Sequence, residues 1–477
     1  MPASAPVSKV KPSKLNEAKT PSADHRALGN SLDLFSTNSY SPGSHLFHPD
    51  GTHVFQKILS FMRAQYITYG FREVITPTIY KQSLWELSGH WQNYKDDMYE
   101  VTGRGVLNAC TDTTTEAGED EKYGLKPMNC PGHCLLYKDR NRSYRDLPIR
   151  YADFSPLHRN EVSGSLSGLT RVRRFHQDDG HIFCTPSQVR EEIQKTLTFV
   201  KMVYDTFGLG PYKLVLSTRP QEKFIGDVRD WDQAEAQLKE ALDRSGHQWT
   251  LNLGDGAFYG PKIDIILTDR DGYEHQTATI QLDFQLPQRF ELKYQAEGGD
   301  CAQPVMIHRA ILGSLERFMA LLIEHYQGRW PMWLSPKQAI IISVNQDDKL
   351  LSYANSIITR INGLYDQSHD PNAPLPRRNL EEVPFTVHTD FTDRSVSKKV
   401  AEAKKKHYNL ICVVGPRDME REIIDVNISG QPNMNATLET LEAVITDTQV
   451  ARGQDQHFLL NSTELHRFLR RLCGEYL

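Results

Sequence analysis

The sequence RYADFSPLHRNEVSGSLSGLTRVRRFHQDDGHIFC, residues 150–184, decides the fold of this chain. It predicts two strands joined by a turn rich in glycine and serine over residues 163–168. Side chains of a strand alternate between its two faces, so the odd-numbered residues of the return strand share one face. These residues are Arg171, Arg173, Phe175, Gln177, Asp179 and His181.

This row of side chains is unusual for a strand face that meets only water. Solvated faces usually combine Lys, Glu and Thr, whereas this row offers guanidinium, aromatic, amide, carboxylate and imidazole groups. On the outgoing strand, Arg159 and Glu161 also share a face. We therefore expect a sheet surface that binds a long ligand of mixed polarity.

The composition of the chain sets outer limits on its function. Its 477 residues suffice for two or three domains, and its 39% hydrophobic content is ordinary for a globular protein. A net charge of −5 excludes a global basic field, so a nucleic-acid partner has to be held by local patches or by shape. The sequence contains no run of 18 apolar residues, so it predicts no membrane span. Seven scattered cysteines, Cys110 among them, indicate a reducing compartment rather than a disulfide framework.

Residues 1–30 are rich in Ser, Pro, Ala and Lys and poor in acidic residues. They contain no apolar core of the kind that a secretory signal needs. A disordered tail and an organellar transit peptide both fit this composition.

Local signals predict several helices and strands downstream. A helix over 52–69 is expected to stop at Gly70, and Thr185 with Gln188 forms a capping-box pattern ahead of a long helix. Residues 276–284 alternate, so four polar side chains are predicted on one face. These are Thr277, Thr279, Gln281 and Asp283. In the apolar helix within 304–326, Arg317 needs a partner when buried, and a triphosphate, a carboxylate or a structural ion pair would each serve.

The segment KPMNCPGHC, residues 126–134, contains three metal candidates in Cys130, His133 and Cys134. Because no second close pair completes a finger-like site, the signal is weak by itself, and we expect Cys134 to be a buried structural thiol. His90 lies in an aromatic loop, SGHWQNY, and a lone histidine is more often structural than catalytic.

From residue 335 strands and helices alternate, which predicts a small α/β domain over 335–450 with a mixed or parallel sheet. A helical tail is expected over 451–477. Several basic residues of this region could bind phosphates or could simply lie in solvent, and the sequence leaves both interpretations open. They are Arg377, Arg378, Lys404, Lys405 and Lys406.

Five segments together resemble threonyl-tRNA synthetase, a class II aminoacyl-tRNA synthetase. They are KPMNCPGH at 126–133, HRNEVSGSLSGLTRVRRFHQDDGHIFCT at 158–185, GDGAFYGPK at 254–262, TIQLDFQLP at 279–287 and PVMIHRAILGSLERF at 304–318. The resemblance implies an α+β catalytic domain over 31–334, an antiparallel sheet flanked by helices, and then an anticodon-binding domain. It is closest to the short fungal mitochondrial form, which has no N-terminal editing domain.

The resemblance also implies an activity. Threonine reacts with ATP, held with Mg²⁺, to form threonyl-adenylate, and the threonyl group then passes to tRNA(Thr). The implied setting is mitochondrial translation, with a cytoplasmic location as the alternative, and the implied assembly is a homodimer. Serine differs from threonine by one methyl group, so without an editing domain we expect measurable serine activation.

Residue roles follow from the matched motifs. Arg159 would hold the α-phosphate, while Arg171 and Arg317 would grip the β- and γ-phosphates. Phe175 would stack on adenine, and Glu161 would accept a hydrogen bond from the amino group of adenine. Gln177 would orient the threonine carboxylate or the α-phosphate, Gln281 would contact ATP and threonine, and His90 would assist transfer to tRNA.

The implied metal is zinc, with Cys130, His181 and His308 as ligands from three distant segments. One thiolate and two imidazoles leave a fourth position open, where threonine would bind through its amino and hydroxyl groups. Asp179 would accept a hydrogen bond from that hydroxyl. Tyr259, Lys262 and Gln281 would complete the threonine pocket.

Three alternatives remain open at this point. One is a non-catalytic synthetase-like protein that binds RNA or regulates another enzyme. Another is a zinc hydrolase, although no His-Glu-x-x-His pattern supports it. The third is a synthetase for serine or proline. Residues 425–430 depart from the basic strand usual for the family, so we assign no anticodon contacts.

Overall fold

A computed structural model describes residues 24–102, 122–222, 224–268, 272–362, 384–445 and 457–477. The predictions for residues 1–23, for Cys110 and for Arg377 and Arg378 lie outside these ranges. None of the helices in the described ranges is long and apolar enough to cross a membrane.

The helices are numbered in chain order. They are α1 His25–Ser31, α2 Pro49–Thr68, α3 Gln82–Ser88, α4 His90–Tyr94, α5 Cys130–Lys138, α6 Val189–Thr206, α7 Val228–Arg244, α8 Gln285–Arg289, α9 Leu315–Tyr326, α10 Asp348–Ile361, α11 Val396–Lys405, α12 Pro416–Glu420, α13 Met434–Glu442 and α14 Ser462–Gly474.

The strands are numbered in the same way. They are β1 Phe35–Ser36, β2 Leu46–Phe47, β3 Arg72–Glu73, β4 Ile79–Lys81, β5 Glu100–Val101, β6 Tyr123–Leu125, β7 Ile149–Asp153, β8 Pro156–His158, β9 Arg174–His176, β10 Asp179–Cys184, β11 Tyr212–Ser217, β12 Trp249–Asn252, β13 Lys262–Thr268, β14 Glu274–Asp283, β15 Tyr294–Gln295, β16 Cys301–Ala302, β17 Val305–Ala310, β18 Ala339–Ser343, β19 Val387–Asp390, β20 Leu410–Val414, β21 Ile424–Ile428 and β22 His457–Leu460.

An eight-stranded sheet organises the larger part of the chain, in the order β12-β11-β13-β14-β17-β10-β7-β3. All its pairs are antiparallel except those of the edge strands β12 and β3. The apolar stripe of α6, including Ile193 and Val200, shares one buried core with Ile280 and Leu282 of β14. The predicted capping box of Thr185 is present at the start of this helical segment. The opposite face, called the polar face below, carries the side chains of Thr279 and Gln281 beside a smaller apolar cluster that includes Phe183 and Met306.

The opening hairpin is more broken than the sequence predicts. Strands β7 and β10 pair inside the large sheet, whereas β8 and β9 form a separate two-stranded ribbon. Asp178 lies at the break, where its carboxylate accepts from the backbone N–H groups of Ile311 and Leu312 and from Arg309. These bonds pull the chain out of a continuous strand. Arg173 departs from the predicted row, because its side chain donates to the carbonyl of Glu161 at 2.9 Å.

The predicted polar face of β14 is also interrupted. The register between β13 and β14 shifts at Ile265, so Thr277 is the extra residue of a β-bulge. Its hydroxyl is buried and hydrogen-bonded to the hydroxyl of Tyr204, on the core side. Thr277 therefore does not share a face with Thr279, contrary to the alternation in the sequence.

Both ends of the described chain are more ordered than the sequence predicts. Within the predicted 1–30 tail, Asp24 caps α1, and His25 of that helix is buried. In the smaller unit, the sheet order is β19-β18-β20-β21-β22, with mixed strand directions as predicted. Strand β22 belongs to this sheet, and Phe468 of α14 lies in its core. A boundary at residue 451 would therefore cut through the domain, because the last helix covers its sheet.

Candidate active site

A cleft on the polar face of the large sheet collects six of the predicted site residues. It encloses about 200 Å³ and lies between the β8–β9 ribbon, strand β14 and the start of α9. The predicted residues in its lining are Arg159, Glu161, Arg171, Phe175, Gln177 and Arg317. Thr279, Ala310 and Ser314 line the same cleft, and sequence reasoning had given them no role.

Arg317 projects into this cleft without a carboxylate partner. Its Nε donates to the carbonyl of Thr170 at 3.2 Å, and its Nη1 donates to that of Gln276 at 3.4 Å. Across the described ranges, no Asp or Glu forms an ion pair with it, so the structural ion pair left open by the sequence is not found. Burial lowers the pKa of Arg317, and the nearby charges of Arg159 and Arg171 lower it further.

Glu161 lies among these guanidinium groups, and it forms a salt bridge to Arg171 with a nitrogen–oxygen distance of 2.8 Å. The guanidinium of Arg159 lies over the ring of Phe175, 5.0 Å from its centroid. The Nε of Arg159 is buried and has no hydrogen-bond partner. Three converging guanidinium groups form a site for a multiply charged anion, beside an aromatic ring that can stack on a base.

Next to the cleft, Cys130, His181 and His308 converge from α5, β10 and β17. Their ligand atoms lie within 4.8 Å of one another, and all three residues are buried. His181 pairs directly with His308 across β10 and β17, which places Nε2 of one ring 3.0 Å from Nδ1 of the other. This convergence depends on strand register, so no spacing in the sequence reveals it.

The surroundings of the two imidazoles leave the facing nitrogens available for a cation. His308 Nε2 lies 2.8 Å from a carboxylate oxygen of Asp283, so it donates there and leaves Nδ1 without a proton. His181 Nδ1 is hydrogen-bonded to His133 at 2.7 Å. Burial lowers the pKa of His181 and raises the pKa of the Cys130 thiol. One sulfur and two imidazole nitrogens at this spacing are a ligand set that fits zinc.

The three other residues predicted for the threonine pocket lie close to this triad or to the cleft. Tyr259 stacks on His308 with ring centroids 4.9 Å apart, and its hydroxyl donates to Gln281. Gln281 lies opposite His308 in the β14–β17 pair. Lys262, opposite Gln281 on β13, forms a 3.0 Å salt bridge with Asp264.

Asp179 is buried, and its carboxylate accepts from the side-chain amide of Asn129 at 3.0 Å. Its second oxygen lies 3.7 Å from His181 Nε2. Burial raises the pKa of Asp179. A hydrogen-bond acceptor is therefore placed beside the triad.

His90 is fully buried and is not among the residues that line the cleft. Its Nδ1 is hydrogen-bonded to Ser88 Oγ at 2.8 Å, and its Nε2 lies 3.8 Å from the sulfur of Cys130. Burial lowers its pKa to about 3, so the ring is neutral. His90 thus packs behind the triad.

The residues that orient the site were not predicted to do so from the sequence. His133 was a metal candidate but lies behind His181, one helical turn from Cys130, and Cys134 is a buried thiol as predicted. Asn129 and Asp283 each hold one predicted residue by a hydrogen bond. The signal for Asp283 was its place two residues after Gln281 on an alternating strand.

Comparisons with known proteins agree with this geometry. Residues 113–326 match the family described as tRNA synthetase class II core domain (G, H, P, S and T). A mitochondrial threonine–tRNA ligase of Saccharomyces cerevisiae is 47% identical over 434 residues, which cover 89% of this chain and 90% of that protein. A cytoplasmic threonine–tRNA ligase of the same yeast is 44% identical over 88% of this chain and 53% of its own length.

Among solved structures, the RNA binding domain of threonyl-tRNA synthetase from Cryptosporidium parvum Iowa II has a TM-score of 0.79 and 40% identity, and the match covers 94% of this chain and 98% of that one. An antiparallel sheet flanked by helices, with a cationic cleft on its polar face, defines the class II aminoacyl-tRNA synthetase core. Within that class, the chain belongs to the threonine–tRNA ligase family.

Proposed function

We propose that this chain joins L-threonine to tRNA(Thr) in two steps, through a threonyl-adenylate made from ATP. One observation carries the proposal. The anion-binding cleft and the Cys130–His181–His308 triad lie side by side, because the cleft pair Thr279–Ala310 is two residues along β14 and β17 from the pair Gln281–His308. A nucleoside triphosphate bound in the cleft and a small amino acid bound at the triad can therefore react with each other.

The cleft would bind ATP together with Mg²⁺. Arg317 and Arg171 would hold the β- and γ-phosphates, and Arg159 would hold the α-phosphate, where negative charge develops as threonine attacks. Phe175 would stack on adenine and Glu161 would accept from its amino group, while Gln177 and Gln281 would align the two substrates. Arg317 on α9 also donates to the carbonyl of Thr170, so the helix and the loop that carries Arg171 are held together at the cleft.

The triad would bind zinc, and zinc there supplies a Lewis-acid centre with an open coordination position. Asp179, held by Asn129, would accept from the threonine hydroxyl. Tyr259 and Lys262 would close the pocket around the substrate. A methyl-for-hydroxyl analogue such as valine would leave Asp179 buried without its donor, which disfavours its binding.

His90 would assist transfer of the threonyl group to tRNA as a neutral imidazole held by Ser88. We expect His90→Ala to slow single-turnover transfer while adenylate formation persists. Transfer at the wild-type rate in this variant would reject the role.

The division of the chain supports recognition of both ends of the tRNA. Residues 31–334 would form the catalytic domain, and 335–450 together with β22 and α14 would bind the anticodon. A homodimer is supported by exposed apolar side chains near edge strand β3, where Ile67 is 82% and Ile75 is 87% exposed. Sedimentation equilibrium measures the assembly directly.

A mitochondrial location is supported by the composition of residues 1–23 and by the mitochondrial relatives. The test is import of the full chain into isolated mitochondria, followed by protease protection. Exclusion from mitochondria would instead favour the cytoplasmic alternative.

ATP–pyrophosphate exchange across the amino acids tests the proposed function. We expect exchange with threonine, weaker but measurable exchange with serine, and none with valine or proline. One zinc per chain is expected on the same sample. Exchange that does not depend on threonine, or a sample that is active and free of zinc, would overturn the proposal.

A further inference from the structure

We propose that His25 of α1 is a positioning residue for the cleft loop, residues 163–172, and so for nucleotide binding. The inference rests on the proposed function, because it concerns the same nucleotide. Helix α1 lies in the segment whose composition indicated a tail or transit peptide. None of the roles implied by family resemblance falls on it.

His25 is buried between α9 and the cleft loop. Its Nδ1 lies 2.8 Å from Glu324 Oε1, and the same oxygen accepts the backbone N–H of His25 at 3.1 Å. Its Nε2 accepts from the backbone N–H of Leu169 at 3.2 Å. A backbone amide can only donate, so Nε2 carries no proton and the proton is on Nδ1, where it is donated to Glu324.

Asp24 does not compete for this role. Its Oδ1 lies 3.3 Å from His25 Nδ1 but accepts from the backbone N–H of Arg26 at 2.8 Å. Its other oxygen accepts from the Arg26 side chain. Glu324 is therefore the group that fixes the orientation and the tautomer of the imidazole.

The imidazole also determines the path of the loop. Gly168 has a φ of +45°, and a Cβ at this position would lie 2.2 Å from His25 Nε2. The next residue, Leu169, is fully buried and donates to the ring. A side chain at 168 would displace the ring, so this close contact requires glycine.

Two cleft residues proposed to hold phosphates are anchored to the same turn. The carbonyl of Thr170 accepts from Arg317 Nε at 3.2 Å, and Arg171 follows directly and lines the cleft. Helix α9 thus holds the loop at two points, directly through Arg317 and indirectly through Glu324 and His25. Without His25, the buried N–H of Leu169 loses its acceptor, and the loop can relax away from Arg317.

The test compares His25→Asn with His25→Gln in the full-length protein. The Gln side chain can place its amide oxygen near the position of Nε2, whereas that of Asn is too short. We expect His25→Asn to raise the dissociation constant for Mg-ATP about five- to tenfold in equilibrium dialysis without amino acid. We expect His25→Gln to stay within about twofold of the wild type. The KM for threonine in the exchange assay should change less than twofold in both.

His48→Asn is the matched control, because His48 lies in the same N-terminal region and bonds to Asp33 and Ser36 instead of the cleft loop. Its ATP affinity should equal that of the wild type. Glu324→Ala tests the same role without changing His25, because it removes the acceptor of His25 Nδ1. It should weaken ATP binding as His25→Asn does. It therefore decides the question even where His25→Asn does not fold.

Unchanged ATP affinity in Glu324→Ala and His25→Asn, or equal losses in His25→Gln and His25→Asn, would overturn the positioning role. Parallel rises in the dissociation constant for Mg-ATP and in the KM for threonine would also overturn the positioning role, because they would indicate general damage to the site. Equilibrium dialysis of Mg-ATP is carried out without amino acid, so it tests the role of His25 independently of threonine activation. A wild-type protein that binds ATP but shows no threonine-dependent exchange would reject the proposed function alone.

Discussion

Arg317 is half-buried beside Arg159 and Arg171, and this like-charge cluster opposes folding as long as no anion is bound. We predict that Arg317→Ala lowers ATP–pyrophosphate exchange at subsaturating ATP about 10- to 100-fold, since charge-assisted bonds to phosphate are lost. Its thermal stability without ligand should equal or exceed that of the wild type. The ATP–pyrophosphate exchange rate and the thermal unfolding midpoint are measured separately to check the two expectations.

Arg244→Ala is the control for Arg317→Ala, because Arg244 forms an exposed pair with Glu240 on α7. Exposed pairs contribute about 0–1 kcal/mol, so exchange and stability should hardly change. Exchange reduced equally in both variants would contradict the role of Arg317.

At the proposed zinc site, Asp283 acts through His308. Its carboxylate accepts from His308 Nε2 at 2.8 Å and so keeps the metal-facing nitrogen available. We predict that Asp283→Asn weakens zinc binding about 10- to 100-fold, as loss of a ligand-orienting carboxylate commonly does. Competition with a chromogenic chelator measures the affinity. Asp425→Asn removes a similar 2.8 Å contact to His457 in the smaller domain, and it should leave zinc binding unchanged.

At the scale of elements, Asp153 joins β7 to its neighbours. It ends that strand, accepts from the hydroxyl and backbone N–H of Thr76, and lies 3.7 Å from both Lys126 and His133. Burial by itself would raise the pKa of Asp153. The nearby His133 ring, the hydrogen bonds from Ser155 and Thr76 and the charge of Lys126 outweigh that effect and hold the pKa well below its usual range.

We predict that Asp153→Asn destabilises the protein by about 3 kcal/mol at pH 7, because the buried Lys126 loses its counter-charge. The folded-state pKa lies below the unfolded value of about 4, so this stabilisation is present above that pH and is lost as the pH falls further. The difference between wild type and variant should stay constant from pH 7 to about pH 4 and narrow below it. Denaturant titrations at several pH values measure it. Asp205→Asn, which breaks an exposed pair with Lys201, should change stability by less than about 1 kcal/mol.

At the scale of the whole molecule, the last residues bridge the two parts of the chain. The ring of Tyr476 packs against Phe61 of α2 and against Trp333, with centroids 5.3 Å and 5.2 Å apart. The backbone N–H of Trp333 donates to the carbonyl of Leu477. The end of the chain therefore fixes the smaller domain against the larger one.

We predict that Tyr476→Ala raises the KM for tRNA in aminoacylation about two- to tenfold, because lost aromatic contacts of about 0.5–1.5 kcal/mol loosen this arrangement. ATP–pyrophosphate exchange, which needs only the catalytic domain, should remain at the wild-type rate. Tyr40→Ala is the control, since Tyr40 is 97% exposed. An equal change in exchange and in aminoacylation would indicate damage to the catalytic domain instead.

The sequence by itself determined the features that depend on neighbouring residues. Alternation along β14 placed Gln281 on the polar face, Thr185 with Gln188 marked the start of a long helix, and Gly70 marked the end of another. Long motifs indicated the family, which the comparisons confirm. Such signals are local, because backbone hydrogen bonding and side-chain alternation act over a few residues.

Only the tertiary structure decided which residues meet. Strand register brought His181 to His308, the bulge turned Thr277 into the core, and packing of α1 on α9 placed His25 against Leu169. Each of these contacts joins segments far apart in the chain and depends on the packing of whole elements. The polar groups lie where they do because burial requires each of them to find a partner, and no local pattern specifies that partner.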